Sequence, residues 1–373
     1  MRRAVQFLGF FLAFFVLSFT AHMYIFMHLS YLLRIEQTAL FWAFVLFSSV
    51  WFFLAMVLGS WLAGVAMRAF HVASMVWLGV MLYTMFTLFF YDGVRLTVGA
   101  PREVAAPAIV GIVAALTAAS LVIQVLVRVR EVDIPAPKLG REARLVQISD
   151  AHIGDIRGRR YLAKLVRMVN ALEPELVLIT GDLADGPHRY DETTFAPLND
   201  IKAPVLFTIG NHEYYAGLEV VLPLIARTKA RTLRNEVVDL GDVRVVGIDD
   251  GHDGRLAAKV LAEAPPKQEG AFTVLMYHRP VGIRHAHEAG VDLMLSGHTH
   301  AGQFLPFPLL ARLIWKRWYT GLREHQGTYL YASAGAGTWG PPFRLGTRSE
   351  IALIRLNGTK AGGKTAAPAP SAQ

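Results

Sequence analysis

The sequence contains no cysteine among its 373 residues. That absence excludes disulfide bonds, a thiolate metal site and a cysteine nucleophile, and it leaves the redox compartment of the protein open. Charged residues are also scarce, at 18%, against about 25% in soluble domains. Because hydrophobic residues make up 53% of the chain, the composition excludes both a disordered protein and a purely soluble one.

Four long runs lack Asp, Glu, Lys and Arg altogether. They are Ala4–Leu33, Thr38–Met67, Ala69–Tyr91 and Val104–Val127, and the shortest has 23 residues. Since about 20 helical residues cross the hydrocarbon core of a bilayer, the sequence predicts four transmembrane helices. The first run is longer than the apolar part of a signal peptide, so we expect it to be retained as a helix.

Basic residues are distributed unequally between the two ends of these runs. One side carries Arg2, Arg3, Arg68, Arg128, Arg130, Lys138, Arg141 and Arg144, and the other carries Arg34, Arg95 and Arg102. The positive-inside rule then places both termini, and the region after the helices, on the cytoplasmic side of the cell (inner) membrane. An alternative stays open, because Arg2 and Arg3 ahead of an apolar run also loosely resemble a twin-arginine export signal with poorly fitting flanks.

The composition changes after the fourth run to a mixed sequence with regular turn residues. Pro135, Pro137 and Gly140 mark the connection between the two kinds of sequence. The predicted organisation is a four-helix membrane anchor at 1–130, a linker at 131–143, a soluble domain at 144–357 and a tail at 358–373. The tail has almost no large apolar side chain to offset the entropy of ordering, so we expect it to be disordered.

Short apolar runs in the soluble domain are typical of buried strands. They are Leu145–Ile148, Leu176–Ile179, Val205–Ile209, Val243–Ile248, Phe272–Met276 and Leu293–Leu295. An amphipathic helix is predicted between the first two, from about Arg159 to Leu172, and Pro174 ends it. The order strand, helix, strand predicts the α/β fold class.

Polar residues of the kind that bind metals follow five of these runs immediately. They are Asp150-Ala-His152, Gly181-Asp182-Leu-Ala-Asp185, Gly210-Asn211-His212-Glu213, His278 and Gly297-His298-Thr-His300. Because the ends of neighbouring strands converge on a common rim, we expect these side chains to meet at one site. Imidazole, carboxylate and carboxamide groups form an N/O ligand set that suits Mn, Fe, Zn, Ni, Co or Mg and does not suit copper(I) or an iron–sulfur cluster.

The spacing within two of these motifs supports a shared site. Residues i and i+2 of an extended segment project to the same side, so Asp150 can act with His152, and His298 can act with His300. Gly297 permits the tight turn that lifts the last pair out of the sheet edge.

Taken together and in this order, the motifs resemble those of the calcineurin-like metallophosphoesterase superfamily, over about Leu145 to Arg355. Any one motif is weak evidence, but the ordered set is specific. The membrane anchor, Gly297–Gln303 and Gly337–Gly346 make the chain similar to the membrane-associated branch of YkuE- and YaeI-like bacterial phosphoesterases. The resemblance implies that the four helices are followed by an αββα sandwich, with two packed mixed sheets flanked by helices.

The same resemblance implies a centre of two divalent metal ions, drawn from Mn, Fe, Zn, Ni or Co. One ion would be held by Asp150, His152, Asp182 and His300, and the other by Asp182, Asn211, His278 and His298. Asp182 would bridge the two ions, and a bridging hydroxide would attack phosphorus in line. His212 resembles the family histidine that lies near the scissile oxygen and acts as a proton donor or oxyanion stabiliser. Asp185 and Glu213 would orient ligand imidazoles or backbone.

The segment Phe304–Tyr319 combines aromatic and aliphatic residues with Arg312, Lys316 and Arg317. Such a segment suits a membrane surface with anionic headgroups. The alternative is a helix or loop packed on the core with its cations reaching out to solvent. We therefore include lipids among the expected partners and lipid-linked phosphate esters among the expected substrates.

The predicted function is hydrolysis of phosphodiester or pyrophosphate bonds by a membrane-anchored, metal-dependent phosphoesterase. The alternative is a non-catalytic membrane sensor or transport protein that uses the fold for binding, which an incomplete set of ligands would favour. No ligand position is missing. A nucleic-acid phosphodiesterase is disfavoured, because much of the net charge of +8 lies at the membrane flanks and in the tail. The sequence leaves the substrate, the native metals and the oligomeric state open.

Overall fold

The computed structural model describes residues 2–62, 64–99, 101–186, 188–266 and 268–358. The chain divides into a helical unit, formed mainly by Met1–Val125, and a second unit that contains the sheets and runs through Leu126–Gly186, Tyr190–Thr338 and Gly346–Gln373. The tail predicted at 358–373 lies outside the described residues except for Gly358.

The helical unit contains the helices α1 (Arg2–Leu33), α2 (Ala39–Trp61), α3 (Val65–Val98) and α4 (Arg102–Ile123). Within the described part of the chain, all four are long and apolar enough to cross a membrane. The prediction of four membrane helices is thereby confirmed in number and order.

The boundaries of α2 and α3 differ from those of the charge-free runs. The run Thr38–Met67 is divided, because α2 ends at Trp61 and α3 begins at Val65. Helix α3 also continues to Val98, past the predicted end at Tyr91, and it includes charged side chains at both ends. A charge-free run marks the part of a helix that suits hydrocarbon, whereas the helix itself can continue into the polar interface.

Polar side chains inside the helical unit are paired with one another. The Tyr24 hydroxyl donates to Asp92 Oδ2 at 2.7 Å, and His28 Nε2 lies 3.2 Å from the same oxygen. Trp77 Nε1 donates to His22 Nε2 at 3.3 Å. These contacts satisfy groups that would otherwise be costly in a bilayer.

The second unit is built on two six-stranded sheets. The first sheet has the order β1-β12-β2-β3-β4-β5, with β1 Val127–Pro135, β2 Ala143–Ile148, β3 Leu176–Thr180, β4 Val205–Thr208, β5 Ala230–Thr232 and β12 Ser349–Asn357. The second has the order β10-β11-β9-β8-β7-β6, with β6 Glu236–Leu240, β7 Val243–Ile248, β8 Phe272–Tyr277, β9 Leu293–Ser296, β10 Gly321–His325 and β11 Thr328–Ala332. Both sheets mix parallel and antiparallel pairs.

Helices cover the outer faces of these sheets. The helices of this unit are α5 (Arg159–Ala171), α6 (Asn211–Ala216), α7 (Leu218–Ile225), α8 (Arg255–Glu263), α9 (Ile283–Glu288) and α10 (Phe307–Trp315). One buried cluster joins residues of both sheets, such as Leu178 and Val274. A second cluster contains Leu165 of α5, and a third contains Val260 of α8. The predicted architecture of two packed mixed sheets flanked by helices is confirmed.

Strand β1 occupies part of the segment that was expected to be a linker at 131–143. It pairs in parallel with β12 from Val127 to Pro135, and Val132 and Ile134 are buried. The strand was missed because its apolar residues alternate with charged ones and its partner lies more than 200 positions later in the sequence. The limits 1–130, 131–143 and 144–357 otherwise stay predictions.

Candidate metal centre

The predicted ligands lie in turns at the carboxyl ends of strands. Asp150 and His152 follow β2, and Asp182 follows β3. Asn211 follows β4, His278 follows β8, and the pair His298 and His300 follows β9. Since β2, β3 and β4 are parallel to one another and β8 is parallel to β9, each sheet presents its ligand turns at one edge.

The backbone at these turns adopts left-handed conformations. The angle φ is 52° at Asp150, 49° at His152, 52° at Asp182, 68° at His298 and 49° at His300. Positive φ is uncommon for residues with a Cβ and persists where the surrounding structure enforces it, often at functional sites. The sequence motifs therefore mark sharp turns as well as ligand-type side chains.

Two glycines make the close approach of these turns possible. Gly181 has φ of +86°, and a Cβ there would lie 2.6 Å from His278 Nδ1. A Cβ on Gly297 would lie 2.1 Å from Asp150 Oδ2. Both distances are far below van der Waals contact, so any side chain at either position would displace a predicted ligand.

Asp150, His152 and His300 form the first group of candidate ligands, and their ligand atoms lie within 4.8 Å of one another. His152 Nε2 is 3.1 Å from His300 Nε2, and His300 Nε2 is 3.4 Å from Asp150 Oδ1. His152 Nδ1 donates to Asp185 Oδ1 at 3.0 Å. With its proton on Nδ1, the neutral form of His152 carries a lone pair on Nε2, the nitrogen that lies in this group.

Asp182, His278 and His298 form the second group. His278 Nε2 lies 3.0 Å from Asp182 Oδ2, while His278 Nδ1 donates to the Thr180 carbonyl at 2.8 Å. Asn211 Oδ1 is buried, and it has no hydrogen-bond partner among the residues that the structure describes. A buried carboxamide oxygen without a partner fits a metal ligand, as predicted for Asn211.

The Asp182 carboxylate lies between the two groups. Its Oδ2 is 3.0 Å from His278 Nε2 and 3.9 Å from His152 Nε2. Its Oδ1 accepts from the backbone N–H of His212 at 2.8 Å. Asp182 therefore lies close to a histidine of each group.

Burial and neighbouring charges shift the pKa values in the second group. Burial disfavours the charged form of His278, but the adjacent Asp182 carboxylate outweighs it and raises the pKa of His278 to about 10. Burial alone would raise the pKa of Asp182, but the charge of His278 and its hydrogen bond hold that pKa well below its usual range. Burial, together with the positive charges of His278 and Arg279, lowers the pKa of His298 to about 2. Cation binding requires an ionised Asp182 and neutral imidazoles, so a cation at this group would have to displace the proton that His278 retains beside Asp182.

Glu213 forms hydrogen bonds to two of the turns that carry these ligands. Its carboxylate accepts backbone N–H groups from Asp182 at 3.0 Å, Ala184 at 2.9 Å and Gly210 at 2.7 Å. It thus ties the turn after β3 to the turn after β4. This contact agrees with the expectation that Glu213 orients backbone, as the contact with His152 does for Asp185.

His212 lies beside the first group. Its ring packs edge-on against His152, with ring centroids 4.5 Å apart, and its Nδ1 donates to the Asp185 carbonyl oxygen. Burial, followed by the charge of His152, lowers the pKa of His212. His152, Asp185 and His212 also lie within ligand distance of one another, a third grouping that the sequence did not predict.

Arg279 and Asp250 belong to the site but were not predicted from the sequence. Arg279 Nη1 lies 3.2 Å from His298 Nε2. The same guanidinium donates to both carboxylate oxygens of Asp250, at 2.7 Å and 2.9 Å. The sequence offered one indication of a role for Arg279, which is its position directly after His278. Adjacency in sequence does not indicate where a side chain points. A fixed guanidinium at this place can bind phosphate oxygens.

The family model for calcineurin-like phosphoesterases matches residues 143–302, which include every predicted ligand. An uncharacterized metallophosphoesterase of Aquifex aeolicus is 31% identical over 243 residues, and the match covers 62% of this chain and 92% of that protein. The chain belongs to the calcineurin-like phosphoesterase family. Membership supports a metal-dependent phosphoester hydrolase.

Two further relatives define the extent of the similarity. An uncharacterized metallophosphoesterase of Helicobacter pylori is 36% identical over 236 residues, which are 61% of this chain and 64% of that protein. The metallophosphoesterase YkuE of Bacillus subtilis is 28% identical over 237 residues, covering 58% of this chain and 79% of the relative. The match to YkuE agrees with the branch that the motifs indicated. The match to the Helicobacter protein spans just under two thirds of its length.

Proposed function

We propose that the protein is a membrane-anchored phosphoesterase that uses two divalent cations to hydrolyse phosphodiester or pyrophosphate bonds, including those of lipid-linked substrates. The observation that carries this proposal is the position of Asp182 between two groups of N/O ligands. The complete set of ligand-type side chains around Asp182 disfavours the non-catalytic alternative.

The residues present fit such a pair of cations. Asp150, His152, Asp182 and His300 would hold one, and Asp182, Asn211, His278 and His298 would hold the other. Mn, Fe, Zn, Ni and Co all accept this donor set. When bound, the cations would neutralise charge on the phosphoryl group and activate water.

The remaining side chains of the site would position the substrate and move the proton. His212 donates from Nδ1 to the Asp185 carbonyl, and in its protonated form it would give the Nε2 proton to the leaving oxygen. Arg279 would hold non-bridging phosphoryl oxygens, since its fork is oriented by Asp250. Hydrogen bonds of this charged kind are stronger than neutral ones.

We further propose that the protein resides in the cell (inner) membrane with its catalytic unit in the cytoplasm. The distribution of Lys and Arg around the four helices supports that orientation. A reporter enzyme that works only in the cytoplasm should therefore be active when it is fused after Gln373. A reporter that works only outside the cytoplasm should be inactive at the same position.

Arg279→Lys should raise KM for a phosphodiester about tenfold, because a lysine keeps the charge but loses the bidentate fork. Metal content should stay at the wild-type level. Arg234→Lys is the matched control, because Arg234 makes a similar pair with the neighbouring Asp249, at 2.7 Å, outside the ligand groups. An unchanged KM in the Arg279 variant, or an equal rise in both variants, would argue against phosphate binding by Arg279.

The proposed reaction is tested by a substrate screen on the full chain in detergent, treated with chelator and reloaded with single metals. The substrates are bis(p-nitrophenyl) phosphate, p-nitrophenyl phosphate and a lipid diphosphate in mixed micelles. We expect metal-dependent hydrolysis of the diester or the diphosphate. Hydrolysis of the monoester alone would refute the proposed bond type, and no hydrolysis with any metal would refute the enzyme.

A further inference from the structure

Helix α10 carries a face of exposed aliphatic side chains. Leu309 is 66% exposed, Leu310 49%, Leu313 76% and Ile314 61%. Their spacing of three and four residues places them on one side of the helix. Ala311, on the other side of the helix, is buried. Helix α10 therefore packs on the second unit with the side that carries Ala311.

Four large aliphatic side chains together on one exposed helix indicate an interaction surface. Full removal of each side chain from water would stabilise the bound state of this face by about 1.5–3 kcal/mol. Isolated exposed leucines need no explanation, but a continuous face of this kind does.

The charges around this face indicate what covers it. Arg312, Lys316 and Arg317 are exposed, and the sequence has no acidic residue from Phe304 to Leu322. Anionic lipid headgroups complement such a cationic border. A second copy docked by the same face would instead bring like charges together. The chain also carries its own membrane helices, so a bilayer is always available to it.

We propose that α10 lies in the boundary between headgroups and acyl chains of the bilayer, with Leu309, Leu310, Leu313 and Ile314 in the lipid. The helix begins a few residues after His300. At its other end, the Trp315 ring packs edge-on against His298, with ring centroids 5.4 Å apart. Helix α10 thus connects the lipid surface directly to a candidate metal ligand.

This position of α10 would select amphiphilic phosphate esters. A substrate whose phosphate lies at headgroup depth would reach the ligand groups without leaving the bilayer. That consequence rests on the proposed function, whereas the docking of α10 in lipid does not.

The absence of cysteine permits a direct test of the docking. Leu313→Cys and, as the control, Leu240→Cys on β6 each provide a single site for a polarity-sensitive fluorophore; Leu240 is 40% exposed. The full chain is reconstituted in vesicles of phosphatidylcholine and phosphatidylglycerol that contain a phospholipid with a spin label high on its acyl chain. A helix of this kind is buried about 5–10 Å into the headgroup boundary, so the label at 313 should be blue-shifted and quenched, and the label at 240 should not.

Two results would overturn the docking. Emission at 313 that matches emission at 240 would place the face in water. Blue-shifted emission that the spin-labelled lipid does not quench, and that varies with the protein-to-lipid ratio, would assign the face to a second copy of the chain.

The consequence for the substrate is tested by Leu309→Ser combined with Leu313→Ser, with Leu240→Ser as the control. The double variant should lose about tenfold of its activity on a phosphodiester lipid in vesicles, since much of the apolar burial is removed, and keep its activity on bis(p-nitrophenyl) phosphate. Equal loss on both substrates would overturn selection by the lipid surface. Lipid quenching at 313 without hydrolysis of any substrate by the wild-type chain would sustain the docking and refute the proposed function.

Discussion

Asp182→Asn should remove both cations and reduce kcat/KM by at least about 1,000-fold, the largest loss that we expect from any single substitution. The carboxylate of Asp182 lies between His152 and His278. A carboxamide has only one oxygen to offer, and its NH2 group would face a cation. The measurements are metal content by mass spectrometry and the rate of diester hydrolysis.

A control separates loss of the bridge from loss of a hydrogen-bonded aspartate. Asp292→Asn is suitable, because Asp292 pairs with Lys138 at 2.6 Å and accepts the N–H of Thr273, outside the ligand groups. It should keep both metals and the full rate. Full metal content with a near-normal rate in the Asp182 variant would refute the bridging role.

His212→Gln should keep both cations and lower kcat by about 100-fold to 10,000-fold, the usual range for loss of a general acid or base. His212 is absent from both predicted ligand sets, and glutamine can preserve a hydrogen bond to the Asp185 carbonyl. Metal content and kcat, measured on the same preparation, distinguish proton transfer from metal binding.

Loss of metal in the His212 variant would change the assignment of the ligands. If His212→Gln lost metal together with activity, the third group of His152, Asp185 and His212 would be a ligand set, and the division of roles proposed above would be wrong. His285→Gln serves as the control, because His285 pairs with Glu288 away from the site.

The buried strands could be predicted because each is mostly apolar and is buried on both faces. The runs that became β2, β3, β4, β7, β8 and β9 are packed between the opposite sheet and a layer of helices, so polar residues such as Gln147 and Arg244 are few among them. Strand β1 escaped detection because charged residues alternate with its apolar ones, and its pairing with β12 is a contact between distant parts of the sequence. No local pattern specifies such a partner.

The candidate site could be predicted as a set of residues but not as a geometry. The family resemblance placed Asp150 and His300 in one ligand set, and their ligand atoms lie 3.4 Å apart. The pair of Arg279 with Asp250 has no spacing rule, since the two residues follow different strands. The composition of the Phe304–Tyr319 segment did not decide between packing on the core and contact with lipid. Only the orientation of α10 shows which side chains are exposed.

The number of divalent cations bound per chain tests the central claim most directly. The full chain, purified in detergent and stripped with chelator, would be titrated with Mn²⁺ and analysed by mass spectrometry after removal of excess metal. Two equivalents in the wild type, falling to none in Asp182→Asn, are predicted. A single equivalent in the wild type, or binding that Asp182→Asn leaves intact, would contradict a bridged pair of cations.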